Sequence, residues 1–226
     1  KRLGGNSVKL DIDNSSLEKG ESLTDTMICL SSYVDLLVVR YNEKHNIGNF
    51  IEKIDIPIIN AGDGINEHPT QALIDLYTIW ENFSNLENLT ITIMGDLRYG
   101  RTVHSLVKLL SYYEPSIKFN LISPEHLSIP QDYKTNININ LTEYYKFDDL
   151  ENVISDTDIL YMTRIQKERH ENNIESNKFK DNYIITEKII DKSKNSMIIM
   201  HPLPRNREIP ELLDSNKKSK YLIQMK

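Results

Sequence analysis

GDGINEHPTQALIDL, residues 62–76, decides the fold, because it joins a short apolar strand to a long apolar helix. The apolar run at 58–60 comes just before it, and the two glycines of GDG predict a tight turn between strand and helix. Pro69 suits the first turn of a helix, where its missing N–H costs nothing. The first amide groups of a helix are unpaired and can bind an anion, so this stretch is also a candidate site. His68 and Gln71 lie at its helix start.

The rest of the chain repeats the alternation of strand and helix. Short apolar runs predict strands at 36–39, 58–60, 89–94, 119–122, 137–141, 159–162 and 197–200. Such strands are too apolar to be half-exposed, and helical patterns between them are typical of parallel sheets covered on both faces. We therefore predict an α/β fold of two parallel-sheet domains, residues 1–80 and residues 81–226, joined by a bridging helix at 69–83.

Composition excludes several classes of protein. With 39% hydrophobic and 27% charged residues the chain is typical of globular proteins, and a net charge of -6 argues against nucleic acid as a partner. No apolar run approaches the roughly 20 residues that span a bilayer, so we expect no membrane partner. The single cysteine, Cys29, rules out an internal disulfide and suits a reducing, cytoplasmic compartment. Its helical surroundings favour a small buried hydrophobe over a reactive thiol.

Polar and charged residues follow five of the predicted strands. They are Arg40, the GDG loop, Gly95 to Arg98, Thr163 with Arg164, and His201 with Pro202. Ligands of open α/β sheets bind at the carboxyl ends of the strands, so we expect these residues to meet in one cleft. One arginine alone is best interpreted as a solvated surface charge, but several together require anions to neutralise them. Guanidinium groups match carboxylates and phosphates, which indicates a substrate with several negative groups. The arginines concerned are Arg40, Arg98, Arg101, Arg164, Arg169 and Arg205.

Two further segments are candidates for chemistry. An imidazole at His68 that donates to a carbonyl oxygen would stabilise developing charge, an effect worth ~3–4 kcal/mol in rate. His104 lies within a helix and is interpreted as a packing or capping residue rather than a catalyst. The loop HPLPR, residues 201–205, is stiffened by two prolines, and its carbonyl groups are free to accept hydrogen bonds. The loop is either a simple stiff turn or a rigid support for a carbonyl group that orients an incoming amine.

Several familiar motifs are missing from the sequence. The stretch GDLRYGRTVHS, residues 95–105, follows a strand and opens a helix, yet it contains neither G-x-G-x-x-G nor the G-K-[ST] ending of a P-loop. The sequence contains no G-x-S-x-G elbow, which argues against a serine hydrolase. Cysteines and carboxylates show no metal-ligand spacing. We therefore expect neither a metal nor a cofactor.

Taken together, the motifs resemble one family, the catalytic chains of aspartate carbamoyltransferases. The resemblance covers nearly the whole chain, and its segments come in the family's order. They are SLEKGESLTDT (16–26), VVR (38–40), NAGDGINEHPTQALIDL (60–76), MGDLRYGRTVHSL (94–106), ILYMTRIQKER (159–169) and MHPLPR (200–205). The resemblance implies transfer of a carbamoyl group from carbamoyl phosphate to L-aspartate, an early step of pyrimidine biosynthesis. It also implies a carbamoyl-phosphate domain followed by an aspartate domain, and a homotrimer with active sites between subunits.

The resemblance assigns roles to residues of the first domain. It implies that Arg40, His68 and Gln71 contact carbamoyl phosphate, with Arg40 and His68 acting in catalysis. Ser16 and Lys19 are expected to reach the site of a neighbouring subunit.

The resemblance likewise assigns roles in the second domain. Arg101, Arg164 and Gln166 are expected to hold the carboxylates of aspartate. The backbone of Leu203 is expected to face the reacting amine, as a catalytic group, and Pro204 to complete the substrate site. A cis peptide bond is implied between Leu203 and Pro204.

The sequence also departs from the family pattern. Family members carry an S-T-R-T-R phosphate loop upstream of KRLGG and a further helix beyond Met225, so we expect this chain to be a fragment with little activity alone. Tyr-Asn follows Arg40 where His-Pro is frequent, Glu67 replaces a common Gln, and the loop 16–20 is shorter than in some relatives. Two alternatives stay open. An ornithine-type carbamoyltransferase would show Cys in place of Pro202 and lack the arginines of TRIQKER. A non-catalytic carbamoyltransferase-like binding or oligomerisation module is the other.

Overall fold

A computed structural model describes residues 4–10, 20–41, 51–135, 140–166 and 183–225. Within these ranges all pairs of neighbouring strands are parallel, and they form one two-stranded and one five-stranded sheet. The predicted fold of two parallel-sheet α/β units is therefore confirmed. The residue at which the domains divide stays a prediction.

The first sheet consists of β1 (Leu37–Tyr41) and β2 (Ile58–Asp63). Helix α1 (Leu23–Ser31) begins at Ser22, whose hydroxyl accepts the backbone N–H of Asp25. Both strands have a partly exposed outer face. The small core between helix and strands is made of apolar side chains, namely Met27, Leu37, Val39 and Ile54.

The expectation of a buried Cys29 was wrong, because its side chain is exposed. On α1 the buried residues are Thr26 and Met27. Successive residues on a helix are rotated by about 100°. Cys29, two positions after Met27, therefore points away from the core.

Helix α2 (Pro69–Asn82) follows the first sheet and matches the predicted bridging helix to within one residue. The predicted apolar stripe is only partly correct. Ala72 and Ile79 are buried, but Leu73 and Trp80 are 57% and 58% exposed. Three polar residues on the inner face of α2 are buried instead, namely Gln71, Asp75 and Thr78. The sequence-based prediction missed these buried polar residues because it assigned only apolar side chains to the inner face.

The five-stranded sheet and its helices fill the rest of the described chain. Its elements are β3 (Thr90–Met94), α3 (Arg101–Tyr113), β4 (Lys118–Ile122), α4 (Gln131–Thr135), β5 (Asn140–Tyr144), α5 (Leu150–Val153), β6 (Ile159–Met162), α6 (Glu187–Asp191) and β7 (Ile198–Met200). Single 3₁₀ turns lie at Glu125–Leu127, Phe147–Asp149 and Glu211–Leu213. The predicted strands are confirmed to within three residues at each end.

The strand order is β5-β4-β3-β6-β7, so the chain reverses direction across the sheet between β3 and β6. Alternate residues of β6 enter two different cores, with Ile159 and Tyr161 on one face and Leu160 and Met162 on the other. Burial on both faces explains why these strands read as continuous apolar runs. The point of reversal is where open α/β sheets bind ligands. Among the helices of the described ranges, none combines the length and apolarity required to cross a bilayer.

Candidate active site

Two groups of loops carry the predicted site residues. We call residues 62–75 the helix mouth, which comprises the GDG loop and the first turns of α2. We call the loops after β3, β6 and β7 (residues 95–101, 163–166 and 201–205) the sheet tip. The side chains described below connect the two.

His68 is the N-cap of α2 and is half-buried. Its Nδ1 accepts the backbone N–H of Gln71 at 3.4 Å and lies 3.2 Å from Oγ1 of Thr70. Because Nδ1 accepts a hydrogen bond, the ring proton belongs on Nε2. Burial lowers the pKa of His68, and the positive charges of Arg101 and Arg40 lower it further. His68 is therefore a neutral imidazole at neutral pH, with Nε2–H as its donor.

Arg101, the first residue of α3, reaches across to the helix mouth. Its Nη1 donates to the carbonyl oxygen of Gly64 at 3.2 Å. Gly62 has a φ of 119°, and a Cβ at that position would lie 3.0 Å from the same Nη1. Only a glycine allows both this backbone conformation and the close approach of the guanidinium group.

Ser105, one helical turn further along α3, ties the two groups of loops together. Its Oγ accepts the backbone N–H of His68 at 2.8 Å and donates to the carboxylate of Glu67. Lys108 lies 3.5 Å from the other oxygen of that carboxylate. Thus α3 fixes the position of His68 from outside its own helix.

At the sheet tip, the loops after β3 and β6 are in close contact. A Cβ on Gly95, which has a φ of 133°, would lie 2.1 Å from the carbonyl oxygen of Thr163. The buried carboxylate of Asp96 accepts the backbone N–H of Tyr99 at 3.0 Å and that of Gln166 at 3.1 Å. One buried side chain therefore organises both loops.

Arg101 and Gln166, both predicted to bind aspartate, share an anchor. The carbonyl oxygen of Tyr99 accepts the backbone N–H of Arg101 at 3.0 Å and Nε2 of Gln166 at 2.8 Å. Arg164 lies two residues before Gln166, directly after β6, and is half-buried. A hydrogen bond between residues 67 positions apart in sequence thus places Gln166 beside the start of α3.

The loop after β7 has the expected cis peptide bond between Leu203 and Pro204. The backbone N–H of Leu203 donates to Nδ1 of His201 at 2.9 Å, so Nε2 of His201 carries the proton and donates to Glu208 at 3.0 Å. Burial raises the pKa of Glu208, but the hydrogen bonds from His201 and Asn206 outweigh burial and leave that pKa below its ordinary value. Glu208 is therefore ionised and orients the imidazole.

Some predicted residues lie elsewhere or outside the described ranges. Arg205 forms an ion pair with Asp214, so its charge is not part of the expected cluster. Arg98 is exposed and donates to the carbonyl oxygen of His126 at 3.3 Å. Arg40 is the penultimate residue of β1 and is exposed. Ser16, Lys19 and Arg169 lie outside the described residues.

His104 is a packing residue, as its sequence context indicated. Its Nδ1 lies 3.1 Å from the carbonyl oxygen of Asn66 and its Nε2 2.9 Å from that of Leu97. The ring stacks on Tyr133 with a centroid distance of 4.2 Å. A groove of about 410 Å³ borders these rings, and Arg98 is the one arginine of the predicted cluster among its lining residues. In the part of the chain that the structure describes, no His, Cys, Asp and Glu side chains form a metal-binding group.

The sequence matches two family models that together span almost all of it. Residues 1–81 match the carbamoyl-P binding domain of aspartate/ornithine carbamoyltransferases, and residues 87–226 match the Asp/Orn binding domain of the same enzymes.

The chain belongs to the aspartate/ornithine carbamoyltransferase family.

Relatives of this carbamoyltransferase chain are similar over its whole length. It is 47% identical to the aspartate carbamoyltransferase catalytic subunit of Picrophilus torridus, covering 99% of the chain and 72% of that subunit. It is 44% identical to the multifunctional protein pyr1-3 of Dictyostelium discoideum, where it spans 10% of the relative's length. Among solved structures, the aspartate transcarbamoylase of Trypanosoma cruzi in complex with N-(phosphonacetyl)-L-aspartic acid matches with a TM-score of 0.90 and 38% identity, over 99% of this chain and 72% of that one.

Sequence reasoning missed four residues that hold this carbamoyltransferase site together, namely Asp75, Asp96, Ser105 and Gln224. Asp96 was noted at a strand end but given no role, although a carboxylate directly after a strand glycine is a common way to bind loop amides. Ser105 lies four residues after Arg101, on the same face of α3, which was a usable signal. Asp75 and Gln224 gave no signal, because their partners are distant in sequence.

Proposed function

We propose that this protein catalyses the transfer of the carbamoyl group from carbamoyl phosphate to L-aspartate. The products are N-carbamoyl-L-aspartate and phosphate, and the step belongs to pyrimidine biosynthesis. The proposal is supported by three contacts around the helix mouth and the sheet tip: His68 bonds to Ser105, Arg101 to Gly64, and Gln166 to Tyr99. Its sequence context is a family in which the catalytic subunits of Picrophilus torridus and Parabacteroides distasonis are 47% and 41% identical to this chain.

The reaction joins an amine to a carbonyl carbon. The neutral amino group of aspartate attacks the carbonyl carbon of carbamoyl phosphate, and a C–N bond forms while the carbonyl oxygen becomes negatively charged. The bond from carbon to the phosphate oxygen then breaks, the carbonyl is restored, and phosphate leaves. The phosphate accepts the proton that the amine loses. The balance requires no metal or redox partner.

His68 suits the role of donor to the developing oxyanion. Its Nδ1 is occupied by the backbone of α2, and the Nε2–H donor is left for the substrate. Its lowered pKa keeps it neutral, so it donates a hydrogen bond without transferring a proton. A preorganised donor of this kind is worth about 3–4 kcal/mol in the transition state. Arg40, whose charge lies close to this imidazole, is proposed to contact the same substrate.

The aspartate carboxylates are proposed to bind Arg101, Arg164 and Gln166. Guanidinium groups bind carboxylates bidentately and fix their orientation. The stiff loop at Leu203 and Pro204 is proposed to present the carbonyl oxygen of Leu203 to the attacking amine, because its N–H is already bound by His201. Holding two reactants in this way can supply about 7–11 kcal/mol of the barrier.

The test is the formation of carbamoylated product by the full-length protein from carbamoyl phosphate with either L-aspartate or L-ornithine. We expect product with aspartate only, because a cationic side chain would be repelled by Arg164. Arg164→Ala should raise the KM for aspartate at least about 100-fold, as the loss of a charge-assisted bidentate contact does. Arg98→Ala, an exposed arginine of the same sheet tip, is the matched control and should not change it. Saturation by aspartate at normal concentrations in Arg164→Ala would refute the assignment, and product from ornithine would establish the ornithine-type alternative.

The assembly is proposed to be a homotrimer in which Ser16 and Lys19 of one subunit complete the site of the next. Light scattering on the full-length protein tests the trimer. Mixing a Lys19→Ala chain with a His68→Ala chain tests the shared site, since hybrids with one intact site should recover activity.

The single cysteine also supports a cytoplasmic location, where thiols stay reduced.

A further inference from the structure

The helix mouth contains a buried carboxylate that the proposed mechanism does not use. Asp75, on the inner face of α2, has no exposed surface. Its Oδ1 accepts Nε2 of Gln71 at 2.8 Å and also Nε2 of Gln224, and its Oδ2 accepts the hydroxyl of Tyr161 at 2.7 Å. The three donors come from α2, from the segment after β7 and from β6. Asp75 therefore joins parts of the chain that are 86 and 149 residues from it.

Asp75 decides which end of the Gln71 amide faces the site. An ionised carboxylate only accepts hydrogen bonds, so it binds the NH₂ end of Gln71. The carbonyl oxygen of Gln71 is then left to accept a hydrogen bond from a ligand. A carbamoyl group carries an NH₂ donor, which suits an acceptor at this position.

The same network continues to the loop that carries Leu203. Gln224 donates to Asp75 with its Nε2 and accepts the backbone N–H of His201 with its Oε1 at 3.2 Å. His201 in turn accepts the backbone N–H of Leu203. An unbroken series of hydrogen bonds thus runs from Gln71 through Asp75, Gln224 and His201 to Leu203.

The burial of this carboxylate carries an energetic cost. Burial raises the pKa of Asp75 to about 6, and hydrogen bonds from Gln71, Tyr161 and Gln224 offset only part of that effect. A buried charge of this kind is weak support for stability, because a neutral side chain of the same shape fits as well or better. Its presence at the mouth of the site points to orientation of its neighbours.

We propose that Asp75 is a positioning residue, which sets the amide orientation of Gln71 and, through Gln224 and His201, its distance from the backbone of Leu203. This inference rests on the proposed function. We call the series of hydrogen bonds from Gln71 to Leu203 the relay. Gln71 would hold the carbamoyl group and Leu203 the attacking amine, so the relay fixes the two reactants relative to one another. A displacement of 1 Å in such an arrangement can cost about 100-fold in rate.

The first test compares Asp75→Leu with Asp75→Asn in the full-length protein. Leu has nearly the shape of Asp but accepts nothing, so kcat should fall about 10- to 100-fold. The KM for aspartate, which depends on Arg101 and Arg164, should stay within about threefold. In Asp75→Asn, kcat should stay within about threefold of the wild-type value. Gln224 would hold the new amide with its Oδ1 towards Gln71. Thr78→Val, which removes a buried hydroxyl of the same helix bonded only to the carbonyl of Ile74, is the control and should leave both constants unchanged.

The second test covers the case in which Asp75→Leu does not fold. Gln224→Leu should reduce kcat at least about fivefold more in the Asp75→Asn background than in the wild type, because Asn without Gln224 can present either end to Gln71. Equal effects in both backgrounds, or a folded Asp75→Leu with wild-type kcat, would overturn the relay. An inactive wild-type protein would instead overturn the proposed function, and the relay with it.

Discussion

The sheet tip and the helix mouth each contain a fully buried aspartate, and the two carboxylates are used differently. Asp96 accepts backbone N–H groups of its own loop and of the neighbouring one. Asp75 accepts side-chain donors that arrive from three separate elements. The sheet tip is therefore held through backbone N–H groups of two adjacent loops, whereas the helix mouth is held in place by side chains from distant parts of the sequence.

The difference teaches which parts of the site tolerate change. One added atom between two closely packed backbone segments lowers the stability of the fold, because neighbouring strands cannot move apart to make room for it. A side-chain network can lose one member and keep the fold while its geometry relaxes. We expect changes at the sheet tip to reduce stability first, and changes at the helix mouth to reduce activity first.

The largest effect is expected for Gly95→Ala at the sheet tip. The new Cβ would lie 2.1 Å from the carbonyl oxygen of Thr163, at a φ of 133° that disfavours side chains. We expect a loss of at least about 4 kcal/mol in the free energy of unfolding, or no folded protein. Chemical denaturation measures it. Gly5→Ala, where none of the residues that the structure describes comes within 4 Å, is the control, and a mild effect at both glycines would contradict the close contact of the two loops.

A pH-dependent effect is expected for Asp75→Asn. The pKa of Asp75 is raised from 3.8 to about 6 in the folded protein, so its contribution to stability is full below pH 3.8 and is lost as the pH rises through 6. The asparagine does not titrate, so the free energy of unfolding of Asp75→Asn should rise relative to that of the wild type by about 1–3 kcal/mol between pH 4 and pH 7.5. Denaturation of both proteins at the two pH values measures the difference. A constant difference would show that Asp75 does not titrate abnormally.

Gly62→Ala tests whether the helix mouth depends on contact with Arg101. The φ of 119° costs about 1–2 kcal/mol with a side chain, and the Cβ would also displace the guanidinium group. We expect a modest loss of stability and a rise of at least about tenfold in the KM for aspartate, as for a lost charge-assisted contact.

Gly20→Ala separates the two causes. Its φ is 90°, but no atom of the described residues lies within 4 Å of the position, so it carries the backbone strain without the contact. Aspartate kinetics that change equally in both variants would show that Arg101 does not depend on Gly62.

The smallest effect is expected for Ser105→Ala. The backbone N–H of His68 would lose its acceptor, which costs about 1 kcal/mol, and Glu67 would lose a donor. We expect kcat to fall about threefold to tenfold as His68 loses its fixed position. Ser111→Ala, on the same helix and bonded only within it, should leave kcat unchanged. A loss of kcat in both variants would indicate a general effect on α3.

The sequence by itself determined the features that depend on neighbouring residues. Apolar runs located the parallel strands, and Pro69 located the start of α2. The order of the motifs also indicated the family and the cis bond before Pro204. These succeed because hydrogen bonding within helices and along strands is governed by local spacing.

Only the tertiary structure decided which polar groups meet. Arg205 forms an ion pair with Asp214 and so does not belong to the predicted cluster of anion-binding arginines. Cys29 is exposed, although the helical pattern suggested that it is buried. The tertiary structure also brought Gln224 onto Asp75 across 149 residues. The physical reason is that a side chain's partners are set by the packing of whole elements, and no periodicity in the sequence records a hydrogen bond between residues that are far apart along the chain.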